Sequence, residues 1–307
     1  MSVLVVGTVA FDAIETPFGK TEKIVGGAAT YICLASSFFT KKINLVSVVG
    51  EDFPTTAIEM LKSKSVDIKG LQIKKGEKTF FWSGKYHNNM NTRDTLETQL
   101  NVLENFNPIV PDEFKESEFL MLGNLMPSVQ KKVLDQMKEK PKLVVLDTMN
   151  FWMDNFMDDL KEALIDVDVL TINDEEARQL SEEYSLVKAA KKILTIGPKY
   201  IIIKKGEHGA LLFSKEKVFF APALPLEEVF DPTGAGDSFA GGFIGYLEKT
   251  KDISFENMKR AVIYGSAMAS FSVEKFGTKK LTEINQKQVN ERIERFVNLV
   301  SFDLDLK

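Results

Sequence analysis

The sequence predicts an α/β fold: a doubly wound, mostly parallel sheet flanked by helices, with a small β lid. Three observations carry this. Short continuous apolar runs at residues 3–6, 143–146 and 200–203 have the pattern of strands buried on both faces. They alternate with amphipathic or small-residue helical stretches, the βαβ rhythm of a parallel sheet. Between Leu71 and Gln99 the rhythm breaks, and aromatic residues and a polar loop replace it.

In chain order, residues 3–9 form the first strand and end in Gly7-Thr8-Val9-Ala10-Phe11-Asp12. Residues 13–24 mix polar and apolar types around Pro17 and Gly19, which suits a flap rather than core. Gly26-Gly27 then opens a helix of small and apolar residues, 28–39. Residues 43–49 are the next buried strand, followed by Gly50-Glu51-Asp52-Phe53-Pro54 and a helix through Leu61. In 78–86, Thr79, Phe80, Phe81, Trp82 and Tyr86 favour strand, and the polar loop 87–95 follows. Residues 12–25 and 71–99 together make the lid. Its aromatic side chains need cover, from a ligand or from a second subunit in a homodimer. The alternation then resumes, with strands at 119–122, 143–146, 167–172 and 200–203. Helices run over 128–139 and from Asp174, and residues 210–213 and 218–221 form a hairpin. A helix after Gly236, another over 261–272 and a C-terminal helix close the chain. Without a linker or repeat, residues 1–307 read as a single domain with the lid inserted in it.

At 307 residues, 44% apolar and 27% charged, the composition is that of a soluble globular protein. A net charge of −5 offers no basic surface for nucleic acid. Cys33 is the only cysteine, which excludes an intrachain disulfide and suits a reducing compartment; its apolar neighbours make it a small buried hydrophobe. The N-terminus reads directly into a strand, with no signal-peptide pattern, and no apolar run is long enough to span a bilayer. The expectation is a cytoplasmic protein with neither membrane nor nucleic-acid partner. His87 and His208 are far apart and outside any Cys/His cluster, which argues against zinc.

The most informative stretch is 231–243, Asp-Pro-Thr-Gly-Ala-Gly-Asp-Ser-Phe-Ala-Gly-Gly-Phe. Gly234 and Gly236 form a turn open to close approach, and Phe239, Phe243 and Leu247 mark the helix that follows. A helix start presents unpaired N–H groups at a positive dipole end, which suits an anion. Asp237 adds a carboxylate beside it. A plain capping role for Asp237 explains neither the two turn glycines nor the Gly241-Gly242 pair. Polar residues also gather where strands end: Asp12, Asp52, Asn124, Asp147, Asn150, Asn173 and Glu176. Ligands of open α/β sheets bind there. The sequence contains no P-loop, no Gly-x-Gly-x-x-Gly after the first strand and no Gly-x-Ser-x-Gly. An anion-binding helix start with a carboxylate remains, which suits phosphoryl transfer to a hydroxyl.

Residues 231–243 resemble the C-terminal signature of the ribokinase (pfkB) family of carbohydrate and nucleoside kinases. Its other landmarks follow in order: Gly7 with Asp12, Gly26-Gly27, Gly50-Glu51-Asp52, Asn173-Asp174-Glu175-Glu176, and Gly206 with Gly209. The resemblance implies a ribokinase-like fold and an ATP- and Mg²⁺-dependent kinase acting on a primary alcohol of a sugar or nucleoside. It makes Asp237 the catalytic base and gives the N–H groups of Gly234, Ala235 and Gly236 the transferred phosphoryl oxygens. Asn173 and Glu176 would position Mg²⁺. Asp12, Gly26, Gly27, Tyr31 and Asn124 would face the acceptor, and Lys204, Gly206, Gly209, Thr233 and Gly277 the nucleotide. In some relatives a monovalent cation such as K⁺ sits near the residues matching Asp231 and Thr233.

Several positions depart from the family pattern. Tyr31 stands where an acceptor-binding Asn is usual, Lys204 where Thr is common, and Pro54 where Gly is common. Asp147-Thr148-Met149-Asn150 matches the family's Asp-x-Asn-x-Arg imperfectly. Lys204 and Lys205 are open to two readings, phosphate contact or solvated surface charge. Phe80, Phe81, Trp82 and Tyr86 are open to base stacking, lid packing or a dimer clasp. A catalytically silent binder of the same fold and a kinase of a hydroxymethyl heterocycle are the competing functions.

Overall fold

The computed structural model describes residues 2–301. β1 (Val3–Val6) leads into β2 (Ala10–Thr16), β3 (Gly19–Lys20) and β4 (Ile24–Gly26). α1 (Ala28–Ser36), β5 (Ile43–Gly50), α2 (Thr55–Ser63) and β6 (Val66–Lys74) follow, then β7 (Phe81–Tyr86) and β8 (Arg93–Gln99). Next come β9 (Phe119–Leu122), α3 (Pro127–Leu134), β10 (Leu143–Asp147), α4 (Asn150–Asn155) and α5 (Met157–Leu164). β11 (Val169–Asn173), α6 (Asp174–Ser181), α7 (Leu186–Ile193) and β12 (Tyr200–Lys204) continue the alternation. β13 (Ala210–Phe213), β14 (Val218–Ala221), α8 (Ala235–Thr250), α9 (Phe255–Ser272), α10 (Lys279–Glu283) and α11 (Gln286–Val300) complete the description.

Among the described residues the main sheet has nine strands in the order β14-β13-β12-β11-β10-β9-β1-β5-β6. All neighbours pair parallel except β12-β13-β14, an antiparallel meander at one edge. The chain starts at β1, moves outward through β5 and β6, then returns to β9 on the other side. Strand order therefore reverses beside β1, and the carboxyl ends flanking that reversal form the crevice where such sheets bind ligands. A second sheet, β3-β2-β7-β8 with β4 on β2, covers this end. The expected doubly wound sheet with a β lid is what forms.

Strand alternation supplies both faces of the core. Val3 and Val5 pack with α1, α2, α8 and α9, whereas Leu4 and Val6 pack with α3 to α7. The Gly241-Gly242 pair seats α8: a Cβ on Gly241 would stand 2.4 Å from the Ile32 carbonyl, and one on Gly242 2.8 Å from Met268. Ser36 Oγ donates to the Gly241 carbonyl at 2.9 Å. Close packing between α1 and α9 thereby sets where the start of α8, and Asp237 on it, points. Cys33 is fully buried in this layer, as its neighbours imply.

Three boundaries in and beside the lid differ from the sequence reading. Residues 71–74 belong to β6 in the main sheet, so the second lid segment starts later than residue 71; the edge sequence Val66-Asp67-Ile68-Lys69-Gly70 hides that strand among charges. β8 begins inside the expected polar loop, and all its residues are exposed, so no apolar pattern marks it. The first flap is rooted at Ala10, and Ile14 within it is completely buried. Among the described residues, no helix is long and apolar enough to cross a membrane.

Candidate functional site

Gly234 is the N-cap of α8 with φ +74°, a left-handed conformation that L side chains adopt rarely. A Cβ there would lie 2.5 Å from the Tyr31 ring, so the turn rests directly on the face of that ring. The helix starts at Ala235, two residues earlier than periodicity marks. The Ala235 N–H donates to the Pro232 carbonyl at 3.1 Å, which corrects the expectation that it serves an anion. Among the described residues, the N–H groups of Gly234, Gly236 and Asp237 have no protein acceptor and are the ones available.

Asp231 fastens the turn from below. Its two carboxylate oxygens accept from the Thr233 N–H and the Gly277 N–H, each at 2.8 Å, and it is fully buried. Gly277 has φ +60°, and a Cβ on it would meet Ile24 at 2.7 Å. Both oxygens near which a monovalent cation was expected are therefore already engaged by backbone donors.

Asp237 sits half-buried in the first turn of α8. Burial pushes its carboxyl up to about 7; nearby Asp147 adds to the rise, and Lys204 and Arg93 oppose it. Asp147 ends β10, Thr171 lies on β11 and Lys204 ends β12. Asp147 Oδ1 accepts from Thr171 Oγ1 at 2.8 Å and from Lys204 Nζ at 2.9 Å. A Cβ on Gly236 would be 3.1 Å from Lys204 Nζ, which places the ammonium directly against the anion-binding turn. Of the two readings of Lys204, the solvated surface charge is excluded. Lys205 is half-buried, and only its backbone is engaged, its N–H on Gly209.

Asn173 and Glu176 form a reciprocal capping box at the start of α6: Glu176 N–H to Asn173 Oδ1 at 2.8 Å and Asn173 N–H to Glu176 Oε2 at 2.7 Å. Glu176 is buried, which pushes its carboxyl up to about 7 against the pull of Lys204, with Asp147 adding to the rise. Among the described residues there is no cluster of three His, Cys, Asp or Glu able to cage a metal.

On the acceptor side, Asp12 on β2 is 5% exposed. A Cβ on Gly26 would stand 1.8 Å from Asp12 Oδ2, so only glycine fits beside this carboxylate. Gly27 has φ +89° and approaches the Thr8 carbonyl too closely for any Cβ. Burial raises the Asp12 carboxyl to about 7, a nearby Gly27 backbone donor opposes this, and Asp231 and Asp237 add to the rise. Tyr31 is buried among these groups. Asn124 is not part of this set: its amide accepts from Trp152 Nε1 at 2.7 Å and donates to Met149 Sδ, fixing the start of α4. Asn150 is likewise taken, by Gln179.

The lid reaches the site at three points. Tyr86 on β7 is buried, and its hydroxyl pairs with Thr233 Oγ1 at 3.2 Å. Asn91 in the hairpin tip lies over Gly206, whose Cβ would fall 2.5 Å from Asn91 Oδ1. Arg93 on β8 adds positive charge toward both Asp237 and Glu176. Two of the other lid aromatics have structural partners, Phe81 against the core and Trp82 over Gly84. Gly209, with φ +82°, is required by the Ala221 carbonyl 2.1 Å from its Cβ position. Arg93 and the Asp147–Lys204 pairing went unread in the sequence, because each meets Asp237 only through strand order and lid closure.

Comparison with known proteins follows the same outline. The family model described as pfkB family carbohydrate kinase matches residues 2–285. A cytidine kinase of Thermococcus kodakarensis is 31% identical over 253 residues, 80% of this chain and 88% of that protein. A nucleoside kinase of Methanothermobacter thermautotrophicus is 26% identical over 315 residues, 96% of this chain and 95% of the other. The crystal structure of a Methanocaldococcus jannaschii nucleoside kinase, 23% identical, superposes with a TM-score of 0.76 over 96% of this chain and 98% of that one.

Proposed function

The chain belongs to the pfkB family of carbohydrate kinases; it is a sugar or nucleoside kinase, and we propose that it transfers the γ-phosphoryl group of ATP to a hydroxymethyl group of its acceptor. One observation carries this reading: a carboxylate, Asp237, with its pKa raised to about 7, stands in the first turn of a helix whose Gly234 and Gly236 amides are free. The names of the relatives support a nucleoside acceptor. The lone cysteine supports a cytoplasmic setting. The described residues, 2–301, act as one domain whose lid covers the crevice.

In this account Asp12 accepts two hydroxyl hydrogen bonds and aligns a vicinal diol. Asp237 accepts a hydrogen bond from the attacking hydroxyl. Its raised pKa brings it closer to an alcohol than an ordinary carboxylate of about 4 would be, though still far below. The proton therefore passes to Asp237 as the new O–P bond forms and the bond to ADP breaks. The Gly234, Gly236 and Asp237 amides and the Lys204 ammonium face the charge that develops on the phosphoryl oxygens. The donor set fits magnesium held through water rather than a protein cage, because Glu176 Oε2 is committed to its cap and one oxygen remains. When bound, Mg²⁺ neutralises phosphate charge; Glu176 and Asn173 would orient its waters.

The test is ATP consumption with Mg²⁺ against pentoses, hexoses, sugar phosphates and nucleosides. Turnover with at least one of them is expected. No turnover on any of them, with a ligand-induced melting shift, would instead mark a silent binder.

A further inference from the structure

The buried face of α11 consists of Val289, Arg292 and Phe296, so an arginine stands between two apolar anchors at 8% exposure. Its guanidinium stacks 3.8 Å above the Phe271 ring and donates to Ser270 Oγ at 2.8 Å and to Glu274 Oε1 at 2.6 Å. The second Glu274 oxygen pairs with Lys280 of α10. Burial pushes the Glu274 carboxyl up, but hydrogen bonds from Lys280 and Arg292 outweigh it and hold the group below the ordinary carboxylate range. Residues 273–277, between α9 and α10, are thereby braced from both sides. A buried ion pair adds little net stability over apolar side chains of the same volume. What this one supplies is a fixed place for the loop.

That loop carries the anion turn. The Val273 carbonyl accepts from the Phe230 N–H at 2.8 Å and the Asp231 N–H at 3.3 Å, and the Gly277 N–H donates to Asp231 Oδ2 at 2.8 Å. Asp231 in turn accepts from the Thr233 N–H, one residue before Gly234. Three backbone donors therefore join the braced loop to the segment that leads into Gly234 and Asp237. The lid's first flap rests on the same two segments, with Gly19 against Phe276 and the Phe18 ring 5.2 Å from that of Phe230.

We propose that Arg292 is a positioning residue for phosphoryl transfer: through Glu274 it holds residues 273–277, and with them Asp231 and the turn at 234–237, where the transferred group needs them. This rests on the kinase reading above. Arg292 touches no substrate in this account. It acts on the placement of the turn's amides and of Asp237, where a shift of about 1 Å costs up to about a hundredfold in rate. Asp12, Gly26 and Gly27 belong to β2, β4 and the start of α1, outside this chain of contacts. The effect therefore falls on kcat and spares the acceptor KM. Lysine is an incomplete substitute, because one ammonium lacks the planar fork that serves Ser270 and Glu274 while stacking on Phe271.

Arg292→Met keeps the buried stem and removes the guanidinium. With the best acceptor of the panel, its kcat is expected to fall about 10- to 100-fold, with the acceptor KM within about twofold of the parent. The acidic limb of the pH–rate profile should stay near 7, because Arg292 is not among the charges that act on the Asp237 carboxyl. Arg292→Lys should recover part of the lost kcat. Glu274→Gln should lower kcat in the same way, and the double variant Arg292→Met/Glu274→Gln should be within about twofold of the worse single one, since both act through one link. Phe296→Leu, on the same face of α11, controls for a loosened helix: it should lower the melting temperature and leave kcat within about twofold. Should Arg292→Met fail to fold, Arg292→Lys and Glu274→Gln carry the test. An unchanged kcat in the Arg292 and Glu274 variants, an equal loss in Phe296→Leu, or multiplied losses in the double variant overturns the proposal while leaving the kinase reading intact. If the unaltered protein turns over no panel member, both fall together.

Discussion

Lys204 Nζ lies 2.9 Å from Asp147 Oδ1, and strand β11 lies between the strands that carry them. The pair stands against Gly236 and so sets the charge that Asp237 experiences: Asp147 raises its pKa and Lys204 lowers it. Substituting Lys204 with Met should have two effects. Breaking a mostly buried pair is expected to cost about 3 kcal/mol, visible in urea unfolding. The acidic limb of the pH–rate profile, near 7 in the parent, should move to higher pH, since a group that favoured the ionised carboxylate is gone. Unchanged stability together with an unmoved limb would remove Lys204 from the account.

Asp12 gives the unliganded protein an unusual pH dependence. Its carboxyl releases its proton near 3.8 when unfolded and near 7 when folded, because burial, then Asp231 and Asp237, outweigh the Gly27 backbone donor. Between those values the native state binds more protons, so its stability falls as pH rises from about 4 to about 7. Melting temperatures measured over pH 5–7 should decline, and Asp12→Asn should make the decline shallower without abolishing it, because Asp237 and Glu176 are raised in the same way. An equally steep decline in the variant would contradict the burial argument.

Gly26 is constrained by Asp12, whereas Gly76 has φ +74° with nothing within 4 Å of its Cβ position. Gly26→Ala must push the Asp12 carboxylate aside, so acceptor KM should rise at least about tenfold with ATP KM unchanged. Gly76→Ala should cost about 1 kcal/mol of stability through its backbone alone and leave both KM values as they were. Steady-state kinetics of the pair distinguish a shaped acceptor pocket from general glycine strain.

Much of this site is visible in the chain itself. Gly234, Gly236 and Asp237 are contiguous, and local turn chemistry followed by helical periodicity exposes them. Asp12 and Glu176 stand at strand ends, where sheet topology makes polar residues informative. What escaped has non-local causes. Ala235's N–H is lost to Pro232 through turn geometry that residue types do not encode. Asn124 is claimed by Trp152, a partner 28 residues away. β6 and β8 lack the apolar alternation that marks a strand, because one is a charged edge and the other lies wholly exposed.

Arg93 is the lid's charge contribution. Its side chain is exposed, so Arg93→Ala should change stability by no more than about 0.5 kcal/mol. It opposes the pKa rise of both Asp237 and Glu176. Losing it should lower kcat by about tenfold or more and shift the acidic limb upward, with ATP binding little affected. A normal kcat would show that the lid covers the site without taking part in its electrostatics.

The central claim is that Asp237 takes the acceptor's proton. The most direct measurement is the rate of phosphoryl transfer by Asp237→Asn on the best acceptor, with ATP binding followed in parallel. The account predicts a fall of at least about a hundredfold, the scale for losing a general base, with ATP still bound. Transfer at the parental rate in that variant would contradict it.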